Sequence, residues 1–412
     1  MTERTLTGEV HGEAVGPERP GTVGQGAVLL AGSCLPILGS VLLAPVLPRM
    51  MAAFAGTPGV EVLVPIVLTA PALMIGLLAP VAGRIVDAVG RKRILVAALV
   101  VYSLVGTAPL WLHALGADSL PLVVASRVLV GITEAAIMTA CTTLIADLWS
   151  GPRRDRWFAR QTITTTLAAT VFFGLGGALG AVSWRAPFWM YLAGLVVAVL
   201  VAVLVPATGR VAAAARPALP PIPWRLILVP CLVTLFGGIV FYTPIAGLSL
   251  VLAGLGISST ATIGLISAIA SLATAAGAFA FGRTAARGPR IAVLLPLALG
   301  LAGVGLVVVG LASGPVVLTV GAVIASAGTG LLLPTLLTWA LSRLGFAERG
   351  RGTGLWTAAM FIGQFFCPLL LFAVSVPLGG LSAAVALLGA VTLLGAAGAP
   401  VLVRRWASRL AA

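Results

Sequence analysis

Two apolar runs without a charged side chain, Val62 to Ala82 and Ile94 to Leu112, are joined by the charged hinge Gly83-Arg84-Ile85-Val86-Asp87-Ala88-Val89-Gly90-Arg91-Lys92-Arg93. A helix rising about 1.5 Å per residue needs about 20 residues to cross a hydrocarbon core about 30 Å thick, and each run has that length. The hinge therefore connects two membrane helices. Its four cations assign it to the cytoplasmic side, where short loops collect Lys and Arg.

The same pattern recurs along the whole chain. Apolar runs fall at 26–48, 62–83, 94–114, 120–148, 158–182, 187–206, 225–253, 260–282, 291–312, 315–341, 353–377 and 381–403. With the N-terminus inside, 22 of the 25 cations fall on cytoplasmic segments; Arg49 and Arg185 fall outside, and Arg127 lies within a run. That asymmetry sets the orientation and requires an even number of crossings, with both termini cytoplasmic. It also accounts for the net charge of +14 without nucleic acid, since the cations come in small groups between spans and line no soluble face. The fold expected is an all-α integral membrane protein of the plasma (inner) membrane, with twelve transmembrane helices in two six-helix bundles. Residues 1–24 read as a disordered cytoplasmic tail and 25–206 as the first bundle. Residues 207–224, rich in Ala and Pro, read as a cytoplasmic linker, 225–403 as the second bundle and 404–412 as a second tail. Such paired halves are the usual build of secondary transporters, whose sites lie between them.

Of the 11 acids, all but one lie in the tail, in loops, at run ends or in the hinge. The exception is Glu134, deep in the fourth run, where an ionised carboxylate is costly and pairs, faces a wet cavity or takes up a proton. It reads as a proton-coupling or cation-binding carboxylate, with interhelical hydrogen bonding as the plainer alternative. Arg127, seven residues earlier, projects from the same helix face about 10 Å away along the axis, too far for a direct pair. Two readings stand for it: a partner of Glu134 in a polar cavity, or a cation bonded to carbonyls of neighbouring helices. The second half has no acid within a run. Its candidate substrate-binding residues are Phe241, Tyr242, Trp339, Gln364 and Phe365, although packing or lipid contact is the simpler reading of any single aromatic. Threonines at 162, 164–166 and 170 read as interhelical hydrogen-bonders. His113, alone near the end of the third run, reads as an interfacial residue. Cys34, Cys141, Cys231 and Cys367 sit singly in apolar runs, so neither a metal site nor a disulfide framework is expected. No cluster of nucleophiles or metal ligands suits an enzyme, and no Gly-x-x-x-x-Gly-Lys loop suits ATP. No cofactor is expected.

Gly83-x-x-x-Asp87-x-x-Gly90-Arg91-Lys92-Arg93 resembles the signature loop between helices 2 and 3 of major facilitator superfamily transporters. Arg127-x-x-x-Gly131 is similar to a second motif of that family, and Ser183-Trp184-Arg185-Ala186-Pro187-Phe188 resembles a segment of its twelve-helix drug-proton antiporter branch. One departure stands out. Where the branch carries Gly-Pro-x-x-Gly-Gly in helix 5, this chain reads Phe172-Phe173-Gly174-Leu175-Gly176-Gly177. The resemblance implies an arginine at the position of Arg127 in proton-coupled members. It also implies a gate of Gly83, Asp87, Gly90, Arg91 and Asp147, in which Asp87 meets the N-terminus of helix 11 near Gly352-Thr353-Gly354. Arg91 would pair with Asp147 and lock the halves in the outward-facing state.

The function expected is secondary active transport, with proton-coupled efflux of a lipophilic small molecule by alternating access. The alternative is an uptake permease for a small organic acid or other metabolite. The partners expected are that substrate, protons and the lipid bilayer, and the protein is expected to act as a monomer.

Overall fold

The computed structural model describes residues 21–206, 224–285, 290–345 and 348–409, and every regular element among them is helical. In the first half these are α1 (Val23–Val41), α2 (Leu47–Ala53), α3 (Val60–Val89), α4 (Arg91–Gly106), α5 (Ala108–Ala114), α6 (Leu120–Leu148), α7 (Gly151–Val182) and α8 (Ala193–Leu204). The second half holds α9 (Trp224–Gly254), α10 (Thr260–Ala285), α11 (Ile291–Gly310), α12 (Pro315–Leu341), α13 (Arg349–Leu378) and α14 (Leu381–Arg409). Eleven of the spans are long and apolar enough to cross a membrane as they stand, and α4 with α5 makes the twelfth. That span bends by 45° at Thr107. Pro109 in the first turn of α5 cannot donate a backbone bond, and the Thr107 hydroxyl turns back to the Ser103 carbonyl at 2.8 Å. The protein is an all-α integral membrane protein.

The expected tail 1–24 lies outside the described residues up to position 20. Beyond it the chain is built into the fold, because Gly21 donates to the Leu148 carbonyl at 3.1 Å and Thr22 forms a capping box with Gln25 at the start of α1. The expected linker 207–224 lies outside the described residues except for Trp224, which opens α9. At the other end α14 runs unbroken through the expected boundary at 404 to Arg409. Trp406 is the reason: it is buried edge-on against Trp339, with ring centroids 5.6 Å apart.

The helices of each half pack mainly on one another, and the halves meet along two seams, α3 against α13 and α7 against α10. Both seams are made of small residues, which let helix backbones approach where lipid gives no hydrophobic drive for association. A Cβ on Gly76 would stand 3.0 Å from Ile362 and 3.2 Å from the Ala358 carbonyl, and Gly177 meets Gly264 in the same way. At one end of the molecule, the hinge face, Gly90 turns the chain from α3 into α4 at φ 103°, a backbone conformation that favours glycine. At the opposite end, the far face, the 3-10 turn Ala44–Val46 and α2 pack against α9 and close the halves together.

Candidate functional site

Between the halves lies a cavity of about 500 Å³. Its first-half wall comes mainly from α1 (Pro36, Ile37, Ser40) and α7 (Thr162, Thr165, Thr166, Phe173), with Ile75 of α3 and Met138 of α6. Its second-half wall comes from α9 (Phe241, Tyr242), α10 (Ser267, Ser271, Thr274), α12 (Ser326, Pro334) and α13 (Trp356, Phe361, Gln364). No charged side chain lines it among the described residues. The wall is apolar with a stripe of hydroxyls, several of them occupied by bonds to their own helix: Thr165 donates to the Gln161 carbonyl at 2.9 Å and Thr166 to the Thr162 carbonyl at 2.7 Å. Thr170 donates to Ser271 across the α7–α10 seam at 3.1 Å.

Of the five expected substrate residues, Phe241, Tyr242 and Gln364 stand on this wall. Trp339 and Phe365 do not. Trp339 is fully buried in a separate core with Leu295, Leu332 and Trp406, and Phe365 pairs edge-on with the exposed Phe366 at 5.4 Å. The threonines expected only to join helices include wall residues. Their spacing, 162, 165 and 166 on α7 facing 267, 271 and 274 on α10, is a helical period that marks one polar face on each.

The buried charges lie behind α1 rather than on the cavity wall. Glu134 and Arg127 are both fully buried on α6, and both reach Gly39 of α1. A Cβ on Gly39 would overlap Glu134 Oε1 and stand 3.5 Å from Arg127 Nη2. Arg127 donates Nη2 to the Gly39 carbonyl and Nε to the Val67 carbonyl of α3, each at 3.2 Å, and its guanidinium lies 5.0 Å from the centre of the Tyr191 ring. It forms no ion pair with Glu134, neither of whose oxygens has a hydrogen-bond partner among the described residues. Both readings of Arg127 thus describe part of its surroundings: it is bonded to carbonyls, and it lies beside the acid. A buried carboxylate left without donors is costly as an anion and inexpensive as a neutral acid, which makes the position suited to taking up a proton.

A sequence profile of the Major Facilitator Superfamily matches residues 29–262, more than half of the chain. The chain belongs to the Major Facilitator Superfamily. Among curated relatives, it is 32% identical to the class G tetracycline resistance protein of Vibrio anguillarum and 31% identical to the class C protein of Escherichia coli, over 39% of each chain. It is 30% identical to multidrug resistance protein 1 of Bacillus subtilis (strain 168), over 31% of this chain and 32% of that protein. The matches thus span well under half the length of these relatives. Among solved structures, a D-xylose-proton symporter superposes with a TM-score of 0.77 at 16% identity, covering 91% of this chain and 96% of the symporter. A bacterial homologue of the human lysosomal transporter Spinster gives 0.76 at 16% identity, covering 92% and 96%. At that identity the likeness is one of fold. The protein is a facilitator-superfamily transporter, not an enzyme.

In this facilitator Arg91 of the signature loop joins two acids of its own half. Arg91 Nε donates to Asp87 Oδ1 at 2.9 Å, and its Nη1 meets Asp147 Oδ1 at the end of α6. Arg91 thereby ties α4 to α3 through Asp87 and to α6 through Asp147, and the Arg91–Asp147 pair, lying within the first half, does not itself lock the halves. The contact across the halves is made beside it. A Cβ on Gly354, near the start of α13, would stand 3.4 Å from Pro80 and 3.5 Å from the Ala79 carbonyl of α3. Gly83 has open space around it. At the far face His113 is not alone: its Nδ1 lies 2.5 Å from Asp118, whose carboxylate also accepts from Arg185 at 2.6 Å. In helix 5 of the family pattern, here α7, Phe173 occupies the expected proline position inside an unbroken helix. It is buried, and its carbonyl lies against Gly264.

Proposed function

We propose that this facilitator exports a lipophilic small molecule from the cytoplasm in exchange for protons, by alternating access, with Glu134 as the proton carrier. The observation that carries the reading is the fully buried Glu134 carboxylate, without a hydrogen-bond donor, beside Arg127 and behind the one turn of α1 that also lines the cavity. A cavity of about 500 Å³ with aromatic and aliphatic walls suits a drug-sized amphipathic molecule. Its lack of charged wall residues speaks against an organic acid, because Arg127 is engaged with carbonyls outside the cavity. The names of the tetracycline and multidrug resistance relatives point the same way.

The excess of cations on the hinge face supports a plasma membrane orientation with that face and both termini cytoplasmic. Thr162, Ala278 and Trp356 carry the cavity toward the hinge face, so it loads from the cytoplasm.

The test uses purified protein in liposomes with a trapped pH dye. Tetracycline, a lipophilic cation and an organic acid are added in turn to wild type and to Glu134→Gln. Proton flux evoked by the lipophilic compounds in wild type and lost in the variant supports the reading. Transport of the acid alone, or equal proton flux in both proteins, overturns it.

A further inference from the structure

Arg127 and Tyr242 reach the same two helices from opposite halves of the molecule. Arg127, on α6, donates to the carbonyls of Gly39 on α1 and Val67 on α3. Tyr242, on α9 of the other half, directs its hydroxyl to the next carbonyl on each: Ser40 at 3.0 Å and Leu68 at 3.4 Å. Two adjacent carbonyls on each of two helices thus form one shelf, held from one side by the cation beside Glu134 and from the other by the second half.

Resting on the reading of Glu134 as the proton carrier, we infer that Tyr242 is a positioning residue for coupling: its hydroxyl latches the second half to the shelf that Arg127 holds, and the charge of Glu134 sets whether that shelf is in register.

With Glu134 neutral, the guanidinium has no anion to turn to and its donors stay on the Gly39 and Val67 carbonyls. That is the arrangement in this structure, where no ion pair forms and the halves are closed at the far face. When Glu134 gives up its proton, the anion in this dry setting draws Arg127 toward itself and away from those carbonyls. The proton leaves to water on the hinge side, and no other bond is made or broken. Gly39 is bonded in sequence to Ser40 and Val67 to Leu68, so losing the arginine from one carbonyl of each pair moves its neighbour. Tyr242 loses its acceptors and the far face is released. The direction fits exchange, since the protonated carrier is held closed to the far side and the deprotonated one is free to open there.

The other ionisable groups around Glu134 are Arg127 on its own helix, Tyr102 of α4, Tyr191 of the 3-10 segment before α8, and Tyr242 itself. On α1 the contact is Gly39. The charged residues of α3 (Glu61, Arg84 and Asp87) lie near its ends. Tyr102 provides an internal control: it is equally buried, and its hydroxyl donates to the Leu35 carbonyl at 2.8 Å, entirely within the first half.

The experiment measures far-face distance with spin labels on cysteines introduced by Ala55→Cys and Ser258→Cys, both exposed positions on opposite halves, across a pH series in lipid. The expected result is that raising the pH opens the far face in the labelled parent. Tyr242→Phe, which keeps the ring and loses only the hydroxyl, shifts the population toward open about five- to tenfold, the scale of one buried hydrogen bond, and flattens the pH response. Tyr102→Phe keeps the parental response. In liposomes Tyr242→Phe moves fewer protons per substrate than the parent. A parental pH response and parental stoichiometry in Tyr242→Phe, or the same flattening in Tyr102→Phe, overturns the latch alone. A parent whose response matches that of Glu134→Gln overturns the proton-carrier reading and the latch with it.

Discussion

Gly177 of α7 and Gly264 of α10 face each other across the seam between the halves: a methyl on Gly264 would stand 2.8 Å from Gly177 Cα and 2.7 Å from the Phe173 carbonyl. Next to them Thr260 donates to the Gly177 carbonyl at 3.0 Å. Backbone has no rotamer with which to move aside. Gly264→Val therefore pushes the seam apart, with an overpacking cost of about 1–3 kcal/mol. The expected outcome is a lower melting temperature of the purified protein and a slower initial transport rate. Gly300→Ala, where a methyl meets nothing within 4 Å, leaves both unchanged.

Gly39→Ala tests the proton carrier without touching a charge. The added methyl occupies the volume of the Glu134 carboxylate end and crowds Arg127, so the acid must turn away from its position behind α1. We expect substrate-evoked proton flux to fall at least tenfold, close to the effect of Glu134→Gln, in protein that still inserts and elutes as a single species. Full proton flux in Gly39→Ala would show that the position of the carboxylate is unimportant.

The far-face group Asp118, His113 and Arg185 has a calculable pH signature. Partial burial raises the Asp118 carboxyl, but hydrogen bonds from Arg185 and His113 outweigh it and hold it below the ordinary carboxylate value. A lowered folded-state value gives stability that is present above the unfolded value of about 4 and is lost as the pH falls through the folded one. Because the group is about one-third exposed, its worth is on the order of 0.5 kcal/mol. Asp118→Asn is therefore expected to lower the melting temperature by about a degree or two near pH 7. That gap closes at pH values below the folded carboxyl's, and a gap that widens with acid would contradict the assignment.

The apolar runs revealed the spans because lipid makes the length and charge of a crossing a sequence property, and Glu134 stood out for the same reason. The hinge pairing of Arg91 with Asp147 followed from the family motif, whereas its confinement to one half depended on how α6 packs. What could not be read was which face of each helix meets the cavity. In a span apolar all round, little in the pattern separates a wall aromatic such as Phe241 from a core aromatic such as Trp339. Gly39 gave no signal either, since its role comes from two side chains brought to it by another helix. The hydroxyl face of α7 was legible in its spacing, and only its partner face on α10 turns it from a helix contact into a wall.

The contrast between two tryptophans of the second half separates wall from core. Trp339 is fully buried, packed edge-on against Trp406 and away from the cavity, while Trp356 lines the cavity opposite the threonines of α7. Removing a buried aromatic leaves a void whose lining loses its contacts, at a cost of about 3–5 kcal/mol for truncation to Ala and less for Leu. Trp339→Leu is thus expected to lower the melting temperature by several degrees while leaving KM within about twofold for whatever active protein remains. Trp356→Leu is expected to do the reverse, raising KM for a lipophilic substrate about three- to tenfold, the range of one lost aromatic contact, with little change in melting temperature. Initial-rate transport in liposomes and thermal unfolding in detergent read the two quantities separately. If both variants change KM alike, the wall of the site extends along α12 beyond Pro334 to Trp339, and the core around Trp406 belongs to the transport path.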